Sequence, residues 1–181
     1  MEHPKRKHIR LKNYDYSQNG VYFVTICTEE RRNILSEILC PVGPDALIGP
    51  QVRLSGIGHV VENHLLRTET AYPSVKIEHY VIMPNHIHIL MTLGNGPMGA
   101  SGPTDGMLTG NPRKPSVPQI VRALKGLVTR ELGRSVWQTG YYAHIIRDDN
   151  DLLIHWQYID QNPARWAEDE YYAERPAGGT H

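Results

Sequence analysis

The stretch Val75–Leu93 constrains this chain most: two β-rich runs, Val75–Met83 and His86–Leu93, are parted only by Pro84-Asn85. Two turn-forming residues between segments rich in β-branched side chains predict an antiparallel hairpin. The second run is aliphatic apart from His86, His88 and Thr92, the pattern of a strand near the middle of a sheet.

The rest of the chain can be arranged around that hairpin. Val21–Thr28, after the turn signal Gln18-Asn19-Gly20, predicts a strand, and a short strand fits near Ile34–Ser36. Apolar positions Ile57, Val60, Val61 and Leu65 follow a helical period from Ser55, although Gly56 and Gly58 weaken its start. Residues 94–118 are dense in glycine and proline and predict a long loop. Ile120, Val121, Leu124, Leu127, Val128 and Leu132 then give an amphipathic helix that Gly133 ends. A strand over Tyr141–Arg147 follows. The last helix is capped by Asp148 or Asp149, runs through Leu152, Trp156 and Ile159, and stops at Pro163. This order predicts an α+β fold: a ferredoxin-like antiparallel sheet with two helices on one face, plus a C-terminal helix carrying Tyr158. One domain is expected over 1–181, with a basic arm at 1–20, the 94–118 loop and a tail at 167–181.

Composition excludes more than it selects. No apolar run approaches the roughly 18 residues of a membrane span, and the start MEHPKRKHIRLK lacks the apolar core of a signal sequence, so a cytoplasmic protein is expected. Cys27 and Cys40 fit no metal or disulfide framework. Nineteen basic residues balance nineteen acidic ones, so the total charge announces no nucleic-acid partner. Its distribution is uneven: Lys5, Arg6, Lys7, Arg10 and Lys12 form a basic arm, while Glu168, Asp169, Glu170 and Glu174 gather at the other end.

The chemistry centres on His86-Ile87-His88. Strand alternation puts both imidazoles on one face, roughly 7 Å apart at their Cα atoms. In a chain with ten histidines such a pair can be coincidence. In a central strand, however, two unpartnered rings are costly to bury, and a divalent cation satisfies both. On the last helix, Tyr158 and Asn162 stand four residues apart and share a side. A phenol can attack phosphorus, and Asn162 Oδ1 can complete a metal shell one turn on.

An ordered series of segments accompanies these residues: Arg6–Arg10 with Tyr14-Asp15-Tyr16, Tyr22–Thr28, Tyr80–His88, Ile120–Lys125, Val136-Trp137-Gln138, Tyr141–Arg147 and Tyr158–Arg165. The chain thereby resembles the HUH single-tyrosine transposases of bacterial insertion sequences, particularly their REP-associated branch. The resemblance implies a ferredoxin-like catalytic domain, His86 and His88 as the His-hydrophobic-His pair, Tyr158 as nucleophile and Asn162 as third ligand; some relatives have Gln in that place, which makes the adjoining Gln161 the alternative. It implies a Mg²⁺ or Mn²⁺ ion and a single-stranded DNA partner, hairpin or repeat DNA, with no membrane. A homodimer, in which one chain's tyrosine serves its partner's histidines, stands open beside a chain that serves its own. Candidate phosphate contacts are Arg6, Lys7, Arg10, Lys12, Arg122, Lys125, Arg147 and Arg165, with Trp137, Tyr141 and Tyr142 as stacking platforms. The expected reaction cleaves and rejoins single-stranded DNA through a 5′-phosphotyrosine.

Other classes fare worse. A histidine-triad hydrolase needs a third histidine where Leu90 stands, and His79-Tyr80-Val81 does not supply the motif of a two-histidine phosphoesterase. A rolling-circle initiator or relaxase shares the site but not the short chain. A domesticated relative that binds hairpins without cutting is the non-enzymatic rival.

Overall fold

The computed structural model describes residues 14–40, 49–94, 115–169 and 171–172. Strand β1 (Gly20–Cys27), β4 (Val75–Ile82), β5 (His86–Leu93) and β6 (Tyr142–Ile146) form one sheet in the order β4-β5-β1-β6. Every neighbouring pair is antiparallel. The hairpin closes as the sequence predicts, the Met83 amide donating to the His86 carbonyl at 2.9 Å. Between β1 and β4 lie a two-stranded ribbon, β2 (Ser36–Leu39) with β3 (Gln51–Leu54), and helices α1 (Gly56–Leu66) and α2 (Thr68–Ala71). Helix α3 (Val117–Leu132) crosses from β5 to β6, and α4 (Asp149–Gln161) follows β6. This is the ferredoxin-like arrangement expected, with the ribbon as an insertion.

Strand parity divides the interior in two. Tyr22, Val24 and Ile26 of β1 and Ile87, Ile89 and Met91 of β5 pack under α1 and α3, against Val61, Leu65, Ile120, Val121, Leu124 and Val128. Phe23, Leu90, Val81 and Ile146 face the other way, where Ile159 of α4 covers them. His86 and His88 share the parity of Leu90, so they face α4. Register fixes this, with Thr25 opposite His88 and Cys27 opposite His86. A slip of one residue would turn the imidazoles into the α1/α3 core and expose isoleucines whose burial contributes roughly 2 kcal/mol each.

Helix ends follow local chemistry. Ser55 caps α1, its hydroxyl accepting from the Gly58 amide at 3.0 Å and donating to the Ile34 carbonyl at 2.6 Å. Gly58, which weakens the helix in isolation, is required in the fold: a Cβ there would meet the Leu35 carbonyl oxygen at 2.0 Å. Ser116 and Gln119 form a capping box on α3, Pro118 sits in its first turn, and Gly133 ends it at φ 67°. The helix therefore begins inside the segment expected as loop; residues 95–114 of that loop lie outside the described residues. Asp148 caps α4, accepting from the Asp151 amide at 2.8 Å. No helix among the described residues is long and apolar enough to cross a membrane.

Candidate active site

Asn85, in the hairpin turn, fixes the first histidine. Its Nδ2 donates to the Arg31 and Tyr171 carbonyls at 3.2 and 2.7 Å, which leaves Oδ1 as the acceptor 2.9 Å from His86 Nδ1. His86 Nδ1 therefore carries the proton and Nε2 a lone pair. His88 Nδ1 is 2.8 Å from Thr25 Oγ1 on β1. Both Nε2 atoms are buried without a hydrogen-bond partner. Burial lowers His86 to a pKa of about 4, against the opposing pull of Asp169 and of the Asn162 side chain, and depresses His88 well below the ordinary value, with the His86 charge adding to that. Both rings are thus neutral near pH 7, the state in which imidazole binds metal.

Helix α4 brings the rest. Asn162 continues the helical backbone at its C-terminal cap (φ −57°, ψ −42°), so the four-residue spacing from Tyr158 is kept. Its Nδ2 donates to Asp169 Oδ2 at 2.8 Å, and its Oδ1 is buried with no partner. Gln161 is exposed and turned to a second cleft of about 500 Å³. His86, His88 and Asp169 each place a ligand atom within 4.8 Å of the others. Two imidazole nitrogens, a carboxamide oxygen and a carboxylate form a donor set with no proton to share among the orphaned atoms, and a divalent cation fits it. The Tyr158 ring stands 5.0 Å from that of His88 at 65°, and is 37% exposed. Phenol and histidines belong to one chain.

Asp169, Arg31 and Tyr171 escaped the sequence reading. After Pro163 the chain makes a 3-10 turn at Trp166–Glu168 and returns Asp169 to the histidines, within what was expected as tail. The Tyr171 ring lies 4.7 Å from His86 and 6.0 Å from His88, with the Arg31 guanidinium 5.2 Å from its centre. Glu30 and Arg31 both have positive φ, 55° and 53°, a conformation that costs non-glycine residues on the order of 1 kcal/mol each. That turn places Arg31 in the wall of a cleft of about 570 Å³, which Phe23, His88, Tyr142, His155 and Tyr158 also line. No local motif signals it.

The expected phosphate contacts are scattered. Arg165 is exposed beside the second cleft, 3.6 Å from Glu168, and Arg147 is exposed at the end of β6. Arg122 is exposed on α3, which packs on the sheet face opposite Tyr158. Lys125 is half-buried and donates to the Gln138 and Gly140 carbonyls, where it clamps the loop that forms one wall of the larger cleft. Trp137 belongs to the α1/α3 core, whereas Tyr141 and Tyr142 line the cleft. Arg6, Lys7, Arg10 and Lys12 lie outside the described residues.

No family model matches the chain. It is 33% identical over 178 residues to an uncharacterized protein of Haemophilus influenzae, covering 93% of this chain and 94% of the relative. A second Haemophilus influenzae protein, provisionally named a REP-associated tyrosine transposase, is 24% identical over 180 residues, or 94% of this chain and 86% of that one. Among solved structures, a REP-associated tyrosine transposase bound to a REP hairpin matches with a TM-score of 0.57 at 20% identity, covering 86% of this chain and 73% of that chain. That last likeness shows the fold. Similarity along nearly the whole chain thus joins it to these two Haemophilus influenzae proteins, one of them provisionally named a REP-associated tyrosine transposase, and the structural likeness shows that it shares the fold of a solved REP-associated tyrosine transposase.

Proposed function

We propose that the chain cleaves and rejoins single-stranded DNA through a 5′-phosphotyrosine on Tyr158. One observation carries the reading: the unpartnered Nε2 atoms of His86 and His88 and the Oδ1 of Asn162 are all buried on the side of the sheet where Tyr158 is exposed. His86, His88 and Asn162 would hold a Mg²⁺ or Mn²⁺ ion, with Asp169 as a further ligand. Bound there, such an ion would supply Lewis acidity at the scissile phosphate and offset charge that develops in the transition state.

The chain's own residues then account for the rest. Asn85 and Thr25 hold the imidazoles through their Nδ1 atoms, so ligand orientation is set before substrate arrives. Helix α4 fixes the phenol beside them. Tyr158 Oη attacks phosphorus in line and the 3′-oxygen leaves, which yields a 3′-hydroxyl and a 5′-end esterified to the phenol. A phenolate, with pKa ~10, is a better leaving group than an alkoxide, so a second 3′-hydroxyl can reverse the step and join strands without ATP. Arg31 and Arg165, at the walls of the two clefts, are placed to meet backbone phosphates. Hairpin DNA is the partner proposed, because the solved relative is bound to a REP hairpin.

Tyr158→Phe tests this. With a 3′-labelled single-stranded hairpin oligonucleotide and Mn²⁺, the wild-type chain should give a covalent adduct on a denaturing gel. The variant should bind the oligonucleotide and give none. Adduct from the variant would move the nucleophile elsewhere, and Tyr142 in the cleft wall is the next residue to replace.

A further inference from the structure

A second histidine cluster adjoins the first. His144 on β6 and His155 on α4 stack with ring centroids 4.6 Å apart at 16°. Asp151 bridges them: Oδ2 is 2.9 Å from His144 Nε2 and Oδ1 3.1 Å from His155 Nδ1. His155 Nδ1 is also 2.8 Å from the Asp151 main-chain carbonyl, one helical turn back. A carbonyl can only accept, so Nδ1 carries the proton and Nε2 keeps the lone pair. His155 stands three residues before Tyr158 and lines the same cleft. The Phe23 ring touches both, 4.7 Å from His155 and 6.0 Å from Tyr158.

Two uses suit such a cluster. A metal ion is one, since His144, Asp151 and His155 offer ligand atoms within 4.8 Å of one another. The hydrogen bonds argue against it: His155 Nδ1 is a donor, and the Asp151 carboxylate is already shared between two rings and the Arg147 amide at 3.1 Å. The second use is proton transfer, in which a carboxylate holds an imidazole in one tautomer and stabilises its protonated form. Asp151 suits that part. Burial works to raise its pKa, yet hydrogen bonds from His144 and Arg147 outweigh this and hold the carboxyl below its ordinary value.

We infer that His155 Nε2 accepts the phenolic proton of Tyr158 during strand cleavage, with Asp151 and His144 as positioning residues. The inference rests on Tyr158 being the nucleophile. In the forward step the O–H proton passes to His155, the Oη–P bond forms, and the P–O3′ bond breaks with its electron pair leaving on the 3′-oxygen. That oxygen takes a proton through water from the imidazolium, so the products are a phosphotyrosine, a 3′-hydroxyl and neutral His155. Rejoining runs the same transfers backwards. Among the described residues, the charged or titratable groups that contact His155 or share its cleft are His144 and Tyr142 from β6, Tyr141 just before it, Asp151 and Tyr158 from α4, His88 from β5, Cys27 and Arg31 at and after the end of β1, and Tyr171.

The experiment measures single-turnover adduct formation by the full chain, with Mn²⁺ and a 3′-labelled single-stranded hairpin oligonucleotide. Rates are followed from about pH 5.5 to about pH 9. The wild-type rate should rise through that range and level off. His155→Ala should be about a hundredfold slower near pH 7, lack the imidazole limb, and climb instead toward the phenol's own range. Asp151→Asn should shift the limb, a response that a purely structural contact would not give. His155→Ala should also keep the thermal stabilisation by Mn²⁺, which shows that fold and metal centre are intact. Rates within about threefold of wild type at every pH would overturn the assignment. So would loss of the Mn²⁺ effect in His155→Ala, which would make the cluster a metal site. Wild-type chain without adduct, or Tyr158→Phe with it, would sink the nucleophile itself, an outcome separate from failure of His155 alone.

Discussion

Two pairs of histidines touch the same phenylalanine, and they are finished differently. Phe23 lies 5.1 Å from His88 and 4.7 Å from His155. On the His86/His88 side each Nδ1 has a polar partner and each Nε2 is buried without a hydrogen-bond partner. On the His144/His155 side a carboxylate bridges the stacked rings, with one oxygen beside His144 Nε2 and the other beside His155 Nδ1. A buried nitrogen with a lone pair and no donor calls for a cation, whereas an imidazole tied to a carboxylate is already satisfied and is tuned for protons. The difference teaches that a histidine's chemistry is read from what its second nitrogen meets.

The largest expected effect concerns pH. In the metal-free protein His86 stays neutral down to about pH 4, while the unfolded chain takes up that proton near pH 6.5. The unfolded state therefore binds more protons across this window, and stability must fall as pH drops through it. The loss is on the order of 3 kcal/mol for His86, and the depressed His88 adds to it. Denaturant melts of His86→Gln should show a flatter pH dependence than wild type; an unchanged slope would mean that the ring is charged in the fold.

Metal binding should separate the clusters more cleanly. At a hundredfold excess over Kd, Mn²⁺ stabilises by about 2.7 kcal/mol, or roughly 5–10 °C in Tm for a chain of this size. His86→Ala/His88→Ala should abolish that shift in a thermal melt, and His144→Ala should keep it. If His144→Ala loses it as well, the two pairs form one centre and the comparison fails.

Within the first cluster, Asp169→Asn removes a charge but keeps the acceptor for Asn162 Nδ2. Calorimetry should find Mn²⁺ bound about tenfold more weakly. An unchanged affinity would restrict the donor set to the histidines and Asn162. The smallest effect is expected from Lys125→Met, which frees the Gln138 and Gly140 carbonyls. It should cost about 1 kcal/mol of stability with the Mn²⁺ shift intact, since the clamp shapes the cleft wall and touches neither cluster.

The elements that carry the site were legible because each is signalled locally. Pro84-Asn85 marks the hairpin, Asp148 and Pro163 bracket α4, and Gly133 ends α3. The four-residue strand β3 and the one-turn helix α2 are too short to show a period. Lys125 and Trp137 show a different limit. A basic or aromatic side chain does not reveal whether packing will spend it on a carbonyl or a core, and here it did both.

What the sequence determined is parity: a period of two puts His86 and His88 on one face, and a helical turn aligns Tyr158 with Asn162. Those relations need only backbone geometry. The tertiary structure decided which face looks at which. The choice came from burying Ile87 and Ile89 under α1 and α3, which leaves the histidines to α4, and from the reversal after Pro163 that returns Asp169 to them. Contacts between distant segments depend on the free energy of the whole packed core, and no local pattern encodes that.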